Sequence, residues 1–372
     1  MSPPESSVEY THLGKSGLKV SNICLGTMTF GKMEESPLAM FTSPTQADEE
    51  KSHVIMDRFV QLGGNFIDTA NIYCFGQSEQ IIGTWLKNKK RDDIVLATKV
   101  RFPMGQEPNS QGLSRRHIIK SLNDSLDRLQ TDYIDLFQTH VWDDATPLEE
   151  TLRTLDDLVR CGKVRYIGAS NVSGWQAQKI VDYTKFMNLT KFISLQQQYN
   201  LLIRHPELEE FQVCKTEGLG VLPWSPLRSG MLTGKYKKDQ KMDPQSGRLA
   251  HDVKKNDKSA TWYKYADKQS YWDLMSVLET VSKKNGKTNA QVALRWLLQK
   301  DVVSSVIIGA TSIKQLEENM SVAKGWGLSK EDMETLDKAS EPESDYPYSM
   351  LKFGNASRNN RFNPKPTVQN LF

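Results

Sequence analysis

Eight short apolar runs, amphipathic segments between them and no linker to divide them predict an α/β chain folded as a single (β/α)8 TIM barrel. The runs are Ile23-Cys24-Leu25, Asn65-Phe66-Ile67, Ile94 to Ala97, Tyr133 to Phe137, Val164 to Ala169, Phe192 to Leu195, Gly220 to Pro223 and Val306-Ile307-Ile308. Each is brief and bounded, as expected of parallel strands covered on both faces. The length of 372 residues would suggest two or three domains at about 150 residues each. Barrels of this type, however, run from about 250 to over 400 residues as one domain. Residues 1–372 are therefore read as one domain, with its core at about 10–340 and a C-terminal tail over 341–372.

The elements follow in order. An N-terminal β-hairpin turns at Lys15-Ser16-Gly17. Helix-period patterns follow at Ser114 to Leu129, where Ile118, Leu122, Leu126 and Leu129 share a face behind a Ser114 N-cap. Pro147 to Cys161 repeats the pattern with Leu148, Leu152, Leu155 and Val159, starting at proline and stopping at Gly162. Thr288 to Gln299 and Ser312 to Ala323 are two more, and Ser329 to Ala339 is an extra C-terminal helix. The rhythm breaks between Gly234 and Tyr271, a long loop after strand 7. From Lys235 to Lys268 ten Lys/Arg face five Asp, a local excess of five on a chain whose net charge is +3. Such a loop is either a solvated surface or a cover for an anionic ligand such as a cofactor phosphate. From Pro342 onward the tail reads as irregular.

Composition narrows the function. A net charge of +3 is too small to make nucleic acid or an anionic membrane the main partner. No run approaches the roughly 20 apolar residues of a membrane helix, and the polar start Met-Ser-Pro-Pro-Glu-Ser-Ser carries no secretory core, so a cytoplasmic location is expected. Cys24, Cys74, Cys161 and Cys214 lie far apart without C-x-x-C spacing, and the six histidines show no metal-ligand spacing. No metal is expected. No G-x-G-x-x-G occurs, which leaves a Rossmann dinucleotide domain unsupported.

In barrels the working residues sit at the C-terminal ends of the strands. Here those ends carry Thr27-Met28, Asp68, Lys99, His140, Ser170-Asn171, Gln196, Trp224-Ser225 and Gly309. Taken singly, Asp68 could be a helix cap, Lys99 a lysine reaching solvent, His140 a satisfied core histidine and Tyr73 a packing residue. Together they form a proton-transfer set. A tyrosine hydroxyl, near pKa 10, is a weak acid at neutral pH; an ammonium beside it lowers that value, and a carboxylate fixes the ammonium. A histidine alongside can orient and polarise a carbonyl. That combination suits carbonyl reduction, in which a hydride arrives at carbon and a proton at oxygen.

The motifs carry a resemblance. They are Leu25-Gly26-Thr27-Met28, Asn65 to Ala70 with Tyr73, Ala97-Thr98-Lys99, Asp132 to His140, Gly162 to Asn171, Gln196 with Tyr199 to Leu202, Trp224-Ser225-Pro226-Leu227, Leu232 to Tyr236 and Gln315 to Asn319. In this order they resemble the aldo-keto reductases from Tyr10 to about Ala339, closest to the aryl-alcohol dehydrogenase and potassium-channel β-subunit branches. The resemblance implies Tyr73 as proton donor, Lys99 and Asp68 tuning it, and His140 orienting the carbonyl. It implies an NADPH/NADP+ cofactor. Ser170, Asn171 and Gln196 would hydrogen-bond the nicotinamide carboxamide, and Trp224 would stack on its ring. Ser225, Leu227, Gly230 and Lys235 would line the pyrophosphate, with Arg248 added from the basic loop. Gly309 to Gln315, including Thr311, with Glu318 and Asn319 would hold the adenosine end; Thr27, Met28, Asp68 and Pro226 complete the cofactor set.

Three departures bear on specificity. Cys74-Phe75 follow Tyr73 where the family usually has glycine, altering the pocket wall. Thr311 occupies a position that is often arginine, which weakens the preference for NADPH over NADH unless Lys314 and the basic loop compensate. Val141-Trp142-Asp143 follow His140 where an arginine often comes first. The substrate is expected to be a small carbonyl compound, an aromatic aldehyde or a sugar-derived keto-uronate aldehyde; the latter needs Arg101, Arg204 or Arg228 at the mouth to receive its carboxylate. The protein is expected to work as a monomer. The alternative is a nicotinamide-sensing regulatory module like the channel β-subunits, tetrameric and bound to a membrane complex.

Overall fold

A computed structural model describes residues 8–32, 46–238, 249, 261–343 and 345–356. The first elements are an antiparallel hairpin, β1 (Tyr10–His12) and β2 (Lys19–Ser21). The barrel strands are β3 (Ile23–Gly26), β4 (Phe66–Asp68), β5 (Val95–Val100), β6 (Ile134–Thr139), β7 (Val164–Ser170), β8 (Phe192–Gln198), β9 (Gly220–Trp224) and β10 (Val306–Ile308). All neighbours in this eight-stranded sheet pair in parallel, and β10 returns to β3. Closure comes just before β10: Val221 N donates to Val302 O at 2.9 Å and Ser304 N donates to Val221 O at 3.0 Å. The fold is the (β/α)8 TIM barrel expected, with the hairpin in place.

Alternation along the strands decides what the barrel holds. The inward positions near the strand starts are apolar, with Cys24, Phe66, Val95, Ala97, Leu136, Leu222 and Ile307 in one cluster. Leu13 and Val20 of the hairpin join that cluster, so the hairpin plugs the N-terminal mouth. Further along the same strands the inward positions turn polar, at Asp68, Lys99, Gln138 and Gln196, all buried. The outward faces meet the helices in the larger core, which includes Phe59, Ile118, Leu155 and Trp296.

Of the helices between strands, α1 (Glu49–Gln61), α2 (Gln77–Leu86), α3 (Arg115–Leu129), α4 (Leu148–Arg160), α5 (Gly174–Phe186) and α6 (Glu210–Glu217) precede β9. Ser114 caps α3 as expected, accepting from His117 N. Thr288 closes a capping box on the helix Asn289–Leu298, and Ser329 caps Lys330–Ala339. Pro147 is itself the N-cap of α4, one position earlier than its proline pattern suggested.

Three expectations need correction. Most strands run one to three residues beyond their apolar stretches, because polar side chains that find partners inside the barrel do not interrupt the backbone ladder; β5 reaches Val100 and β8 reaches Gln198. The break after Gly234 is also shorter than expected, since helices form at Thr261–Tyr265 and Gln269–Asn285. The chain divides into two compact units, the first ending at Ser340 and the second beginning at Glu341. The second is not irregular throughout: it carries a helix at Tyr348–Asn355.

Candidate active site

The inward polar positions converge on one ammonium. Lys99 Nζ donates to Asp68 Oδ1 at 2.5 Å, to the Thr69 carbonyl at 2.8 Å and to Tyr73 Oη at 3.2 Å, which uses all three of its protons. Both members of the ion pair are buried. Burial pulls the lysine pKa down, but the charge of Asp68, then that of Tyr73, and the bonds to both outweigh it and hold the ammonium above its ordinary value. Asp68 Oδ2 accepts from Gln138 Nε2 at 3.0 Å and Gln196 Nε2 at 2.9 Å. The carboxylate is thus anchored on both oxygens. Gln138 is a site residue that strand-end reading missed; its signal was the inward alternation Leu136, Gln138, His140. Gly168 on β7 makes room for it, since a Cβ there would meet Gln138 Cγ at 3.3 Å and Ser194 Oγ at 2.4 Å.

His140 closes the set. Its ring meets Tyr73 edge-on with centroids 5.9 Å apart, and Phe102 flanks it at 4.8 Å. Burial and then the positive charge of Lys99 hold its pKa well below the usual imidazole value. At neutral pH it is a neutral imidazole, suited to polarise a carbonyl without carrying charge. Asp68, Tyr73, Lys99 and His140 are therefore together, as the sequence suggested.

The turn Tyr73–Gly76 that presents the tyrosine is unusual. Cys74 and Phe75 have left-handed backbones, with φ of 45° and 50°, and Gly76 follows at 91°. For a side chain larger than glycine each such residue costs about 1–2 kcal/mol, so the surroundings must hold the turn. Cys74 Sγ accepts from Gln46 Nε2 at 3.0 Å. Burial pushes the Cys74 thiol up to about 11, which keeps it protonated and unreactive.

Around Tyr73 the wall is apolar. Met28, Phe75, Phe102 and Met104 pack against Ala70, Ile72 and Tyr73. The three arginines considered for a carboxylate are placed differently. Arg204 forks onto Glu207 through Nε and Nη2, both at 2.7 Å, and donates to the Asp337 carbonyl at 2.6 Å and to Ser340 Oγ at 3.0 Å. It is a structural clasp, with four of its five N–H groups bonded within the fold. Arg228 lies over Tyr265 at 5.6 Å, in the loop after β9, and Arg101 lies beside Phe102 at 5.8 Å.

The expected cofactor residues occupy the same end of the barrel. Asn171 ties two others of them to His140: its Nδ2 donates to the His140 carbonyl and to Ser170 Oγ, both at 2.9 Å, while its Oδ1 accepts from Trp224 Nε1 at 3.2 Å. The indole plane is thereby fixed. Beyond it the loop Ser225-Pro226-Leu227 turns through left-handed Ser225, Arg228, Ser229 and Gly230. Lys235 folds back across that loop, its Nζ 3.0 Å from where a Cβ would lie on Gly230, whose φ of 88° favours glycine. Arg228 Nε is buried with no hydrogen-bond partner among the described residues. Two cations at a turned loop fit a diphosphate.

At the far end, Asn319 Nδ2 donates to the Gly309 carbonyl at 3.3 Å, and Gln315 Oε1 accepts from Thr311 N at 3.0 Å and Oγ1 at 3.1 Å. Glu318 accepts from Thr288 Oγ1 at 2.8 Å. Thr27 is buried under Asp68, whose carbonyl it binds through both N and Oγ1, and Met28 faces the apolar wall. Arg248 lies outside the described residues. Among the described residues no cluster of His, Cys, Asp or Glu is arranged to hold a metal ion, and no helix is long and apolar enough to cross a membrane.

Comparison with known proteins agrees with this geometry. The profile of the Aldo/keto reductase family matches residues 22–341. The oxidoreductase YrpG of Bacillus subtilis is 36% identical over 331 residues, covering 85% of this chain and 91% of its own. The aldo-keto reductase dtxS3 of Metarhizium robertsii is 35% identical, covering 91% of this chain and 93% of its own. A probable voltage-gated potassium channel subunit beta of Oryza sativa is 36% identical over 84% of this chain and 90% of its own. The potassium-channel β-subunit branch seen in the motifs is thus among the relatives, beside other reductases. With a buried Asp68–Lys99–Tyr73 set at the mouth of a parallel barrel and a family match over nearly its whole length, this oxidoreductase belongs to the aldo/keto reductase family.

Proposed function

We propose that the protein reduces aldehydes or ketones to alcohols with NADPH, Tyr73 delivering the proton to the carbonyl oxygen. The observation that carries this reading is Lys99 Nζ at 3.2 Å from Tyr73 Oη, held there by Asp68. The ammonium stabilises the phenolate left after proton transfer, and Asp68 with Gln138 and Gln196 keeps the ammonium from moving. His140, neutral, orients the substrate oxygen beside the tyrosine. The bound cofactor supplies the hydride. Trp224, fixed by Asn171, offers a flat face to the nicotinamide; Lys235 and Arg228 hold the diphosphate. NADPH rather than NADH rests on the exposed Lys314 and the basic segment after Gly234, because the Thr311 hydroxyl is taken up by Gln315.

The apolar wall of Met28, Phe75, Phe102 and Met104 favours an aromatic aldehyde over a keto-uronate, all the more since Arg204 is committed elsewhere. The working state is a cytoplasmic monomer. The complete proton-transfer set favours turnover over the alternative of a nicotinamide-sensing module. The test is a screen of NADPH oxidation against benzaldehydes, dicarbonyls and keto-uronates, with light scattering for mass. Brisk turnover of a benzaldehyde by a monomer is expected; a tetramer that turns over none of them would overturn the reading in favour of the module.

A further inference from the structure

Glu79 is a fully buried carboxylate on the outer side of the barrel wall, apart from the proton-transfer set. Its Oε1 accepts from Thr98 Oγ1 at 2.6 Å, and its Oε2 accepts from Arg128 Nε at 2.7 Å. Thr98 immediately precedes Lys99 on β5. Alternation therefore sends the threonine hydroxyl outward to Glu79 while the lysine enters the barrel. Glu79 itself sits in the first turn of α2, whose N-cap is Gly76, the last residue of the left-handed turn that carries Tyr73.

Arg128 reaches the same glycine from the last turn of α3. A Cβ on Gly76 would lie 2.6 Å from Arg128 Cδ and 2.8 Å from its Nε, so the stem of the arginine runs directly beneath the turn. Gly83, one helical turn on from Glu79, lets α2 approach as closely, since a Cβ there would meet the Arg128 carbonyl at 2.2 Å. One ion pair thus touches the strand of Lys99 and the turn of Tyr73 at once. Left-handed Cys74 and Phe75 would relax toward ordinary backbone without such a hold, and a buried carboxylate persists only where its charge is met.

We infer that Glu79 and Arg128 are positioning residues, their ion pair clamping the turn Tyr73–Gly76 against β5 and so setting the Lys99–Tyr73 separation. The inference rests on Tyr73 being the proton donor. Its test uses the full-length chain with Glu79→Gln, Gly76→Ala and Thr98→Val, assayed with NADPH and benzaldehyde across the neutral to alkaline range. Cofactor binding by tryptophan fluorescence and thermal unfolding are measured alongside. Tyr73→Phe runs in parallel: full activity in that variant would sink the donor assignment, whatever the others do.

The expected result is a loss in kcat of about a hundredfold in Glu79→Gln and Gly76→Ala, the scale of a ~1 Å misplacement, with cofactor affinity and aldehyde KM unchanged. The alkaline limb of kcat should move to higher pH, because a phenol drawn away from the ammonium loses the charge that favours its ionised form. Thr98→Val cuts a single link without unpairing a charge, and should show a smaller loss with the limb moved the same way. If Glu79→Gln does not fold, the other two carry the test. An unchanged kcat and limb in Gly76→Ala and Thr98→Val would overturn the inference. So would a loss of kcat matched by an equal loss of cofactor affinity.

Discussion

Lys99 and Asp68 meet at 2.5 Å, Nζ to Oδ1, with side-chain exposures of 0% and 2%. A buried pair of this kind is costly to break, because the surviving partner keeps a charge without water or counter-ion. Lys99→Met and Asp68→Asn should each lower unfolding stability by about 3–5 kcal/mol, and the double variant by less than their sum. Urea unfolding of the three variants checks this. Additive losses would mean that the two side chains act independently.

His140 ties stability to pH. Its imidazole is held well below the usual 6.5 by burial and by Lys99, so the unfolded chain takes a proton that the folded one refuses. The contribution is intact above the unfolded value and is lost as pH falls below it toward the folded value, at up to about 1.4 kcal/mol per pH unit. His117 is lowered by burial as well and adds to the same slope. His140→Gln should flatten the fall in unfolding free energy on the acid side of neutrality without abolishing it. An unaltered slope would show that His140 titrates equally in both states.

Arg204 should prove structural. With its fork on Glu207 and further bonds to Asp337 and Ser340, Arg204→Met should lower the unfolding midpoint while leaving the ratio of activities on benzaldehyde and keto-uronate as in the native protein. A selective loss of uronate activity would place the guanidinium at the mouth after all.

Phe75 should select for flat apolar substrates. Its place in the wall with Met28 and Phe102 implies that Phe75→Ala raises KM for benzaldehyde about tenfold, the equivalent of some 1.4 kcal/mol of lost contact, and much less for a short aliphatic aldehyde. Steady-state kinetics on the two aldehydes decide it; equal changes in both would remove Phe75 from the substrate wall.

Much of this site was legible in the sequence, and the reasons differ by residue. Each strand showed as an apolar run because its outer face packs on helices, as Ile118 and Leu122 of α3 do in the core. The strand ends were read short because Lys99, Gln138 and Gln196 are polar yet belong to the ladder, their partners lying on other strands. Gln138 went unseen for that reason. Cys74 and Phe75 follow no propensity, being side chains in a backbone that favours glycine; their hold comes from surroundings distant in sequence, among them Gln46 and Arg128. The Glu79–Arg128 pair joins residues 49 apart, a relation that single-sequence periodicity does not encode.

The proposed reaction stands on Tyr73 as the proton donor. Turnover and NADPH binding of Tyr73→Phe, measured side by side, test it most directly. With Tyr73 as donor, kcat for benzaldehyde reduction by this variant falls by about 10²- to 10⁴-fold while the dissociation constant for NADPH stays as in the native protein. Undiminished turnover, or activity and cofactor affinity lost together, would contradict it.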